Sequence, residues 1–195
     1  MKPRNHPGSL IVISGPSGVG KTTITDALVQ RLDAVFSVSM TTRPRSGSER
    51  EGVDYYFVDE LRFREAVAVG ELLEWAQVFG RLYGTPRKPV EENLASGRDV
   101  VLEIDVAGGK QVKSAYPAAV TIFILPPTLE DLIARLRARG RDEEAEIQRR
   151  FRDAKREIDE AKSCGAYDHF VVNDNVDRAV LESLSIVRKH ENTSG

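Results

Sequence analysis

Apolar residues fall along this chain in two alternating rhythms. Residues 9–14, Ser-Leu-Ile-Val-Ile-Ser, form an unbroken run rich in β-branched side chains, the pattern of a strand covered on both faces. After a glycine-rich turn, residues 21–32 carry Ile24, Leu28 and Leu32 at four-residue intervals, which lines one face of a helix. The rhythm then recurs. Strands are predicted at 99–105, 120–125 and 170–173, and helices over 107–114, 128–139, 143–162 and 176–190. Strands alternating with helices predict an α/β fold of three layers, a parallel sheet flanked by helices.

The stretch 35–83 breaks this order. Clusters of Thr, Arg, Gly and Tyr surround segments such as Asp54-Tyr-Tyr-Phe-Val58 and Leu72-Leu-Glu-Trp-Ala-Gln-Val78, which predicts a small β-rich lobe inserted into the core, with Trp75 packed inside it. Residues 140–146 are charged and hold too few apolar side chains to pack firmly, which makes them a candidate mobile lid. One domain is therefore expected over residues 1–195. Its core would take 9–34, 86–134 and 165–191, with the lobe at about 35–85 and a helical lid at about 135–160.

Composition narrows the possible partners. The 195 residues are 41% hydrophobic, enough for one core with insertions. A formal net charge of −2 argues against a nucleic-acid backbone as partner. Basic residues nevertheless gather at 43–50 and 135–156, as handling of small phosphorylated ligands requires. The single cysteine, Cys164, cannot form an intramolecular disulfide, so a cytoplasmic location is expected. The apolar run at 10–13 is too short for a signal peptide or a membrane span, and no membrane partner is expected.

The most specific local signal is Gly15-Pro16-Ser17-Gly18-Val19-Gly20-Lys21-Thr22, which satisfies G-x-x-x-x-G-K-[ST] between a predicted strand and a predicted helix. Backbone N–H groups must converge on phosphate oxygens there, and Gly15, Gly18 and Gly20 relieve the crowding a Cβ would cause. Lys21 supplies a point charge to the β- and γ-phosphates, and the Thr22 hydroxyl is placed for Mg²⁺. The helix N-terminus adds its partial positive charge, and Thr23 in the first turn completes the expected ATP-binding stretch. Such a loop alone does not separate a kinase from a GTPase or an ATPase.

The stretch Ser39-Met-Thr-Thr-Arg43-Pro-Arg45, followed by Glu49-Arg-Glu-Gly52-Val-Asp-Tyr55-Tyr-Phe57, resembles the GMP-binding signature of guanylate kinases. Glu71-Leu-Leu-Glu74-Trp-Ala and Tyr83-Gly-Thr85 resemble the family's second acceptor segment, and Leu102-Glu-Ile-Asp105 its acidic strand end. The resemblance runs roughly from Ser9 to Val187. It implies that the inserted lobe binds GMP, that Glu74 accepts both guanine N1–H and the 2-amino group, and that Ser39 and Thr85 serve the purine. Arg43, Arg45, Tyr55 and Tyr83 would hold the GMP phosphate. The family spaces its two arginines one residue further apart than Arg43-Pro44-Arg45, so either Arg45 or Arg50 fills the second arginine's role. The resemblance also places Asp105 near the acceptor and Mg²⁺, Asn173 beside adenine, and Arg135, Arg139 and Arg150 on the transferring phosphates.

The expected reaction is Mg²⁺-dependent transfer of the γ-phosphoryl group of ATP to GMP, with Lys21, Arg135, Arg139 and Arg150 as catalytic residues. The expected assembly is a monomer or a homodimer. Two rivals share the fold: a kinase for a phosphorylated ribose, which would give Glu74 and Ser39 no purine to read, and a non-catalytic guanylate-kinase-like binding module. Modules of that kind tend to have degraded P-loops and to be attached to other domains, whereas this chain keeps Lys21 and Thr22.

Overall fold

The structure is a computed structural model that describes residues 8–78, 80–138 and 143–194. Its elements run β1 (Leu10–Ser14), α1 (Lys21–Leu32), β2 (Val35–Phe36), β3 (Met40–Thr41), β4 (Tyr56–Phe57), α2 (Glu60–Ala68), β5 (Leu72–Val78) and β6 (Arg81–Pro86). There follow α3 (Arg87–Ala95), β7 (Val100–Glu103), α4 (Val106–Ala115), β8 (Val120–Leu125), α5 (Leu129–Ala138), α6 (Glu144–Ser163), β9 (His169–Val172) and α7 (Val176–Ser194).

The larger sheet has the order β2-β7-β1-β8-β9, and every pairing in it is parallel. Its middle strand explains the unbroken apolar run in the sequence. Ile11 and Ile13 pack with Ile24, Leu28 and Val187 on the side of α1 and α7. Leu10 and Val12 pack with Val90, Leu102 and Val112 on the side of α3 and α4. With helices on both faces, each of these side chains leaves water, and each contributes about 1.5–3 kcal/mol.

A second, four-stranded sheet has the order β4-β3-β6-β5, with β5 and β6 forming an antiparallel hairpin. Two features here differ from the sequence reading. Val35–Phe36 pairs with β7 in the large sheet, so the chain leaves the core only after Phe36. The lobe also carries a helix, α2, whose N-terminus is capped by the Asp59 side chain accepting from the Arg62 N–H at 2.7 Å. Phe63 and Ala66 bury its inner face against Met40, Leu72 and Leu82. The β-rich composition around α2 hides this short period. The helix at Arg87–Ala95 was likewise absent from the expectation; it buries chiefly Val90, too little apolar surface to show as a stripe. The expected lid residues Gly140 to Asp142 lie outside the described residues.

Candidate functional site

A cleft of about 460 Å³ opens where β1 and β7 end, between the large sheet and the inserted lobe. This is where an open parallel sheet places its ligands. Gly15, Ser17, Gly18, Gly20, Lys21, Thr22 and Thr23 form one wall, and Ser39, Tyr55, Glu74 and Tyr83 form the opposite one. Glu103, Asp105 and Glu157 lie between them.

The glycine-rich wall is made by the main chain. Gly15 has φ 148°, and a Cβ there would come within 2.5 Å of the Ile124 carbonyl on β8, so only glycine fits this turn. Lys21 folds back over the loop and donates through Nζ to the Gly15 and Pro16 carbonyls at 2.6 and 3.2 Å. Thr22 Oγ1 donates to Glu103 Oε1 at 3.1 Å. Pro16 and Val19 are buried, so their share in the loop is backbone.

The opposite wall is made by side chains, and a single irregularity sets its key residue. The pairing of β5 with β6 shifts by one residue between Leu72 and Glu74. This bulge turns Glu74 inward, opposite Thr85, where strict alternation from Leu72 and Leu73 would have blurred its facing. Glu74 is only 4% exposed, and Thr85 Oγ1 donates to its Oε1 at 2.6 Å. Trp75, expected inside the lobe, points out and is 42% exposed. Its backbone is held by Gln111 of α4, whose side-chain amide accepts from the Trp75 N–H at 3.2 Å and donates to its carbonyl at 2.7 Å. Gly108 on the same helix leaves the room Glu74 fills, since a Cβ there would lie 2.4 Å from Oε2.

Burial raises three carboxyls lining the cleft. Desolvation pushes Glu74 up to about 7, the Thr85 hydrogen bond opposing and the Asp105 charge assisting. Glu157 also rises to about 7 through desolvation, with the Lys21 charge pulling the other way. Asp105 rises by desolvation as well, although its Oδ1 accepts the Gly108 N–H at 2.8 Å and so caps α4. The cleft is thus rich in carboxylates around one lysine, and a polyphosphate entering it needs further cations.

Arginines stand around the cleft, beside Tyr55 and Ser17. Arg43 is held by Glu49 through a two-point contact at 2.6 and 3.0 Å, and its guanidinium lies 5.2 Å from the Tyr55 ring centre. Glu49 is drawn down to about 2 by that contact. Tyr55 meets Tyr83 edge-on at 6.0 Å. Arg45 is exposed and makes no hydrogen bond or ion pair among the described residues, whereas Arg50 pairs with Asp54 at 3.8 Å. Arg150 reaches Ser17 Oγ at 3.5 Å from α6. Arg135 and Asn173 do not line the cleft; both are engaged behind the glycine-rich loop. Arg139 lies outside the described residues.

Three further carboxylates belong to the site. Glu103 lies two residues before Asp105 in the acidic strand end, where the resemblance implies a role for Asp105 alone. Glu49 lies inside the acceptor motif, and nothing in its spacing marks it as the partner of Arg43. Glu157 follows Arg150 by seven residues, two helical turns, so its facing was available from spacing alone.

A family model described as guanylate kinase matches residues 8–190. The chain belongs to the guanylate kinase family. It is 48% identical over 187 residues to a guanylate kinase of Carboxydothermus hydrogenoformans, covering 94% of this chain and 90% of that one. It is 47% identical over 182 residues to one of Myxococcus xanthus, covering 93% and 86%. The crystal structure of guanylate kinase from Anaplasma phagocytophilum superposes with a TM-score of 0.74 at 34% identity, covering 95% and 87%. A gluconokinase structure from Sinorhizobium meliloti, at TM-score 0.54 and 17% identity over 98% of each chain, shares the fold alone. This family member is a phosphotransferase of the nucleoside monophosphate kinase class.

Proposed function

We propose that this chain transfers the γ-phosphoryl group of ATP to GMP, giving ADP and GDP, with Mg²⁺. The observation that carries the reading is Glu74: a buried carboxylate, turned by a bulge into the cleft that Lys21 also lines. Guanine presents two adjacent donors, N1–H and the 2-amino group, which one carboxylate can accept together. Adenine would leave that buried group unmatched, and a phosphorylated ribose would leave it idle.

In the proposed reaction an oxygen of the GMP phosphate, already ionised near neutral pH, attacks the γ-phosphorus. The bond from that phosphorus to the bridging oxygen breaks, and the leaving charge stays on ADP, so no general base is required. Ser39, Glu74 and Thr85 orient the base, with Asp105 beside them. Arg43, Tyr55 and Tyr83 seat the acceptor phosphate, and exposed Arg45 is available to join them as the lobe closes. Lys21, Arg150 and Arg139 neutralise the transferring group, Arg135 supporting them. The Thr22 hydroxyl and Glu103 carboxylate, 3.1 Å apart, are hard oxygen donors that suit Mg²⁺, with Asp105 nearby in the cleft. When bound, the ion would neutralise charge on the ATP phosphates.

With these substrates goes the proposal of a cytoplasmic enzyme that needs no nucleic-acid or membrane partner for the reaction. A coupled assay of ADP formation with GMP, AMP, UMP and ribose phosphates tests the reading. GMP is expected to be preferred by orders of magnitude. A ribose phosphate accepted as well as GMP would refute it.

A further inference from the structure

The carbonyl of Val19, in the middle of the phosphate loop, is gripped from outside the cleft. The buried side chain of Asn173 donates to it through Nδ2 at 2.8 Å, from a point 154 residues away in sequence. Arg135 approaches the same oxygen through Nη1 at 3.5 Å and donates through Nη2 to the Asn173 carbonyl at 2.8 Å. Asn173 is itself fixed by its backbone N–H, which donates to the Leu125 carbonyl at the end of β8 at 2.8 Å. The contact is close enough to dictate the neighbouring residue. Gly20 has φ 101°, and a Cβ on it would lie 2.5 Å from Asn173 Nδ2.

A planar trans peptide points its C=O and its N–H in opposite directions. Holding the Val19 carbonyl toward Asn173 and Arg135 therefore aims the Gly20 N–H the other way, and Gly20 lines the cleft. Hydrogen bonds on a carbonyl also polarise the N–H of the same peptide, which makes it a better donor to an anion. We infer that Asn173 and Arg135 are positioning residues that set the Gly20 N–H for the nucleotide phosphates by holding the Val19 carbonyl, and that neither acts chiefly by touching the nucleotide. The inference rests on the proposed use of the loop for ATP, and it reassigns two residues from direct contact to support.

The test uses a ligand with neither base nor acceptor. Magnesium tripolyphosphate is titrated calorimetrically into the wild-type protein, Asn173→Ala, Arg135→Ala and the double variant, with ATP and GTP titrated in parallel. Asn173→Ala is expected to weaken tripolyphosphate and ATP by the same factor, roughly tenfold, the scale of a lost buried hydrogen bond. The ratio of ATP to GTP affinity should stay unchanged. The two losses should fall well short of adding in the double variant, because both residues act through one peptide.

Unchanged tripolyphosphate binding in Asn173→Ala, with ATP weakened or its preference over GTP lost, would show that Asn173 reads the base and would overturn the inference. Additive losses would overturn it for Arg135, as a direct phosphate contact predicts. Should Asn173→Ala fail to fold, Asn173→Asp keeps the shape but turns an acceptor on the carbonyl, and the same comparison decides. A wild-type protein that did not bind tripolyphosphate would overturn the inference together with the role of the loop. A failure to phosphorylate GMP would instead refute the acceptor reading and leave this comparison intact.

Discussion

The two walls of the cleft are made by opposite means. The wall proposed to hold phosphate, the phosphate wall, is a contiguous stretch, Gly15 to Thr22, which offers backbone amides and one lysine. The wall proposed to read the base, the base wall, draws Ser39, Glu74, Thr85 and Asp105 from separate parts of the chain, offers side chains, and depends on the room that Gly108 leaves. Main-chain recognition needs only a turn that glycine permits, so it survives as a local pattern. Side-chain recognition needs a strand register, a bulge and a helix floor to agree, and each of those is a long-range property. Substitutions in the first wall should therefore damage donor chemistry alone, and those in the second should damage acceptor choice alone.

The largest effect is expected from Lys21→Ala. Without that charge the transferring group loses its fixed cation, and turnover should fall by roughly 10³ or more. GMP binding, measured by calorimetry, should stay near the wild-type value because the base wall does not use Lys21. Turnover at the wild-type rate would sink the mechanism, and loss of GMP affinity would mean that the two walls are not separable.

Glu74→Gln probes the other wall. One acceptor oxygen becomes a donor facing a guanine donor, so efficiency with GMP should drop on the order of 10² to 10³-fold while ATP affinity barely moves. Steady-state constants for GMP and AMP in both proteins decide it. If the variant used GMP as well as the wild type, Glu74 would not be reading the base.

A smaller effect, about 10 to 30-fold on the Michaelis constant for GMP, is expected from Gly108→Ala. The added Cβ would lie 2.4 Å from Glu74 Oε2 and 3.3 Å from Ile104 Cδ1, so the carboxylate must move. Alanine is otherwise the better helix residue by about 0.8–1 kcal/mol. The substitution should thus weaken acceptor use without a matching loss in melting temperature, and the Michaelis constant for ATP should hold. Equal changes for both substrates would point to general disruption and blur the contrast between the walls.

Legibility in the sequence follows the same division. Four of the five parallel strands and most of their covering helices are readable because each is a local run with one period, and the shared fold follows from them. The phosphate loop was readable for the same reason. Around Glu74 the sequence offered alternation, whose plain meaning is a solvent-facing carboxylate, and only the resemblance to a family pointed inward. The inserted bulge that buries it is written in the pairing of β5 with β6, which no single segment records. Likewise Val35–Phe36 looked like the start of the lobe, because nothing in two residues says that they pair with β7. Arg135 and Asn173 were assigned to the nucleotide by motif position, while their contacts lie behind the loop.

The smallest effect concerns protons. Burial raises the Glu74 carboxyl from 4.5 to about 7, so near neutral pH a substantial share of the empty protein holds Glu74 protonated. A folded-state pKa above the unfolded one means that the folded chain binds the proton more tightly. The stability this contributes is fully present below about 4.5 and is lost as pH rises through about 7, and the rise corresponds to roughly 3 kcal/mol at most. Glu157 moves in the same direction, so Glu74→Gln should flatten the fall in melting temperature between pH 5 and 8 without abolishing it. Guanine needs the ionised form. GMP affinity should therefore weaken by up to about tenfold from pH 8 to pH 6, in addition to any change from the phosphate of GMP itself. Calorimetry at pH 7 in buffers of different ionisation enthalpy should show that GMP binding releases a fraction of a proton from the wild type, and less from Glu74→Gln. Equal proton release in the two proteins would mean that Glu74 is already ionised in the empty cleft. The base wall would then be as permanently charged as Lys21 makes the phosphate wall.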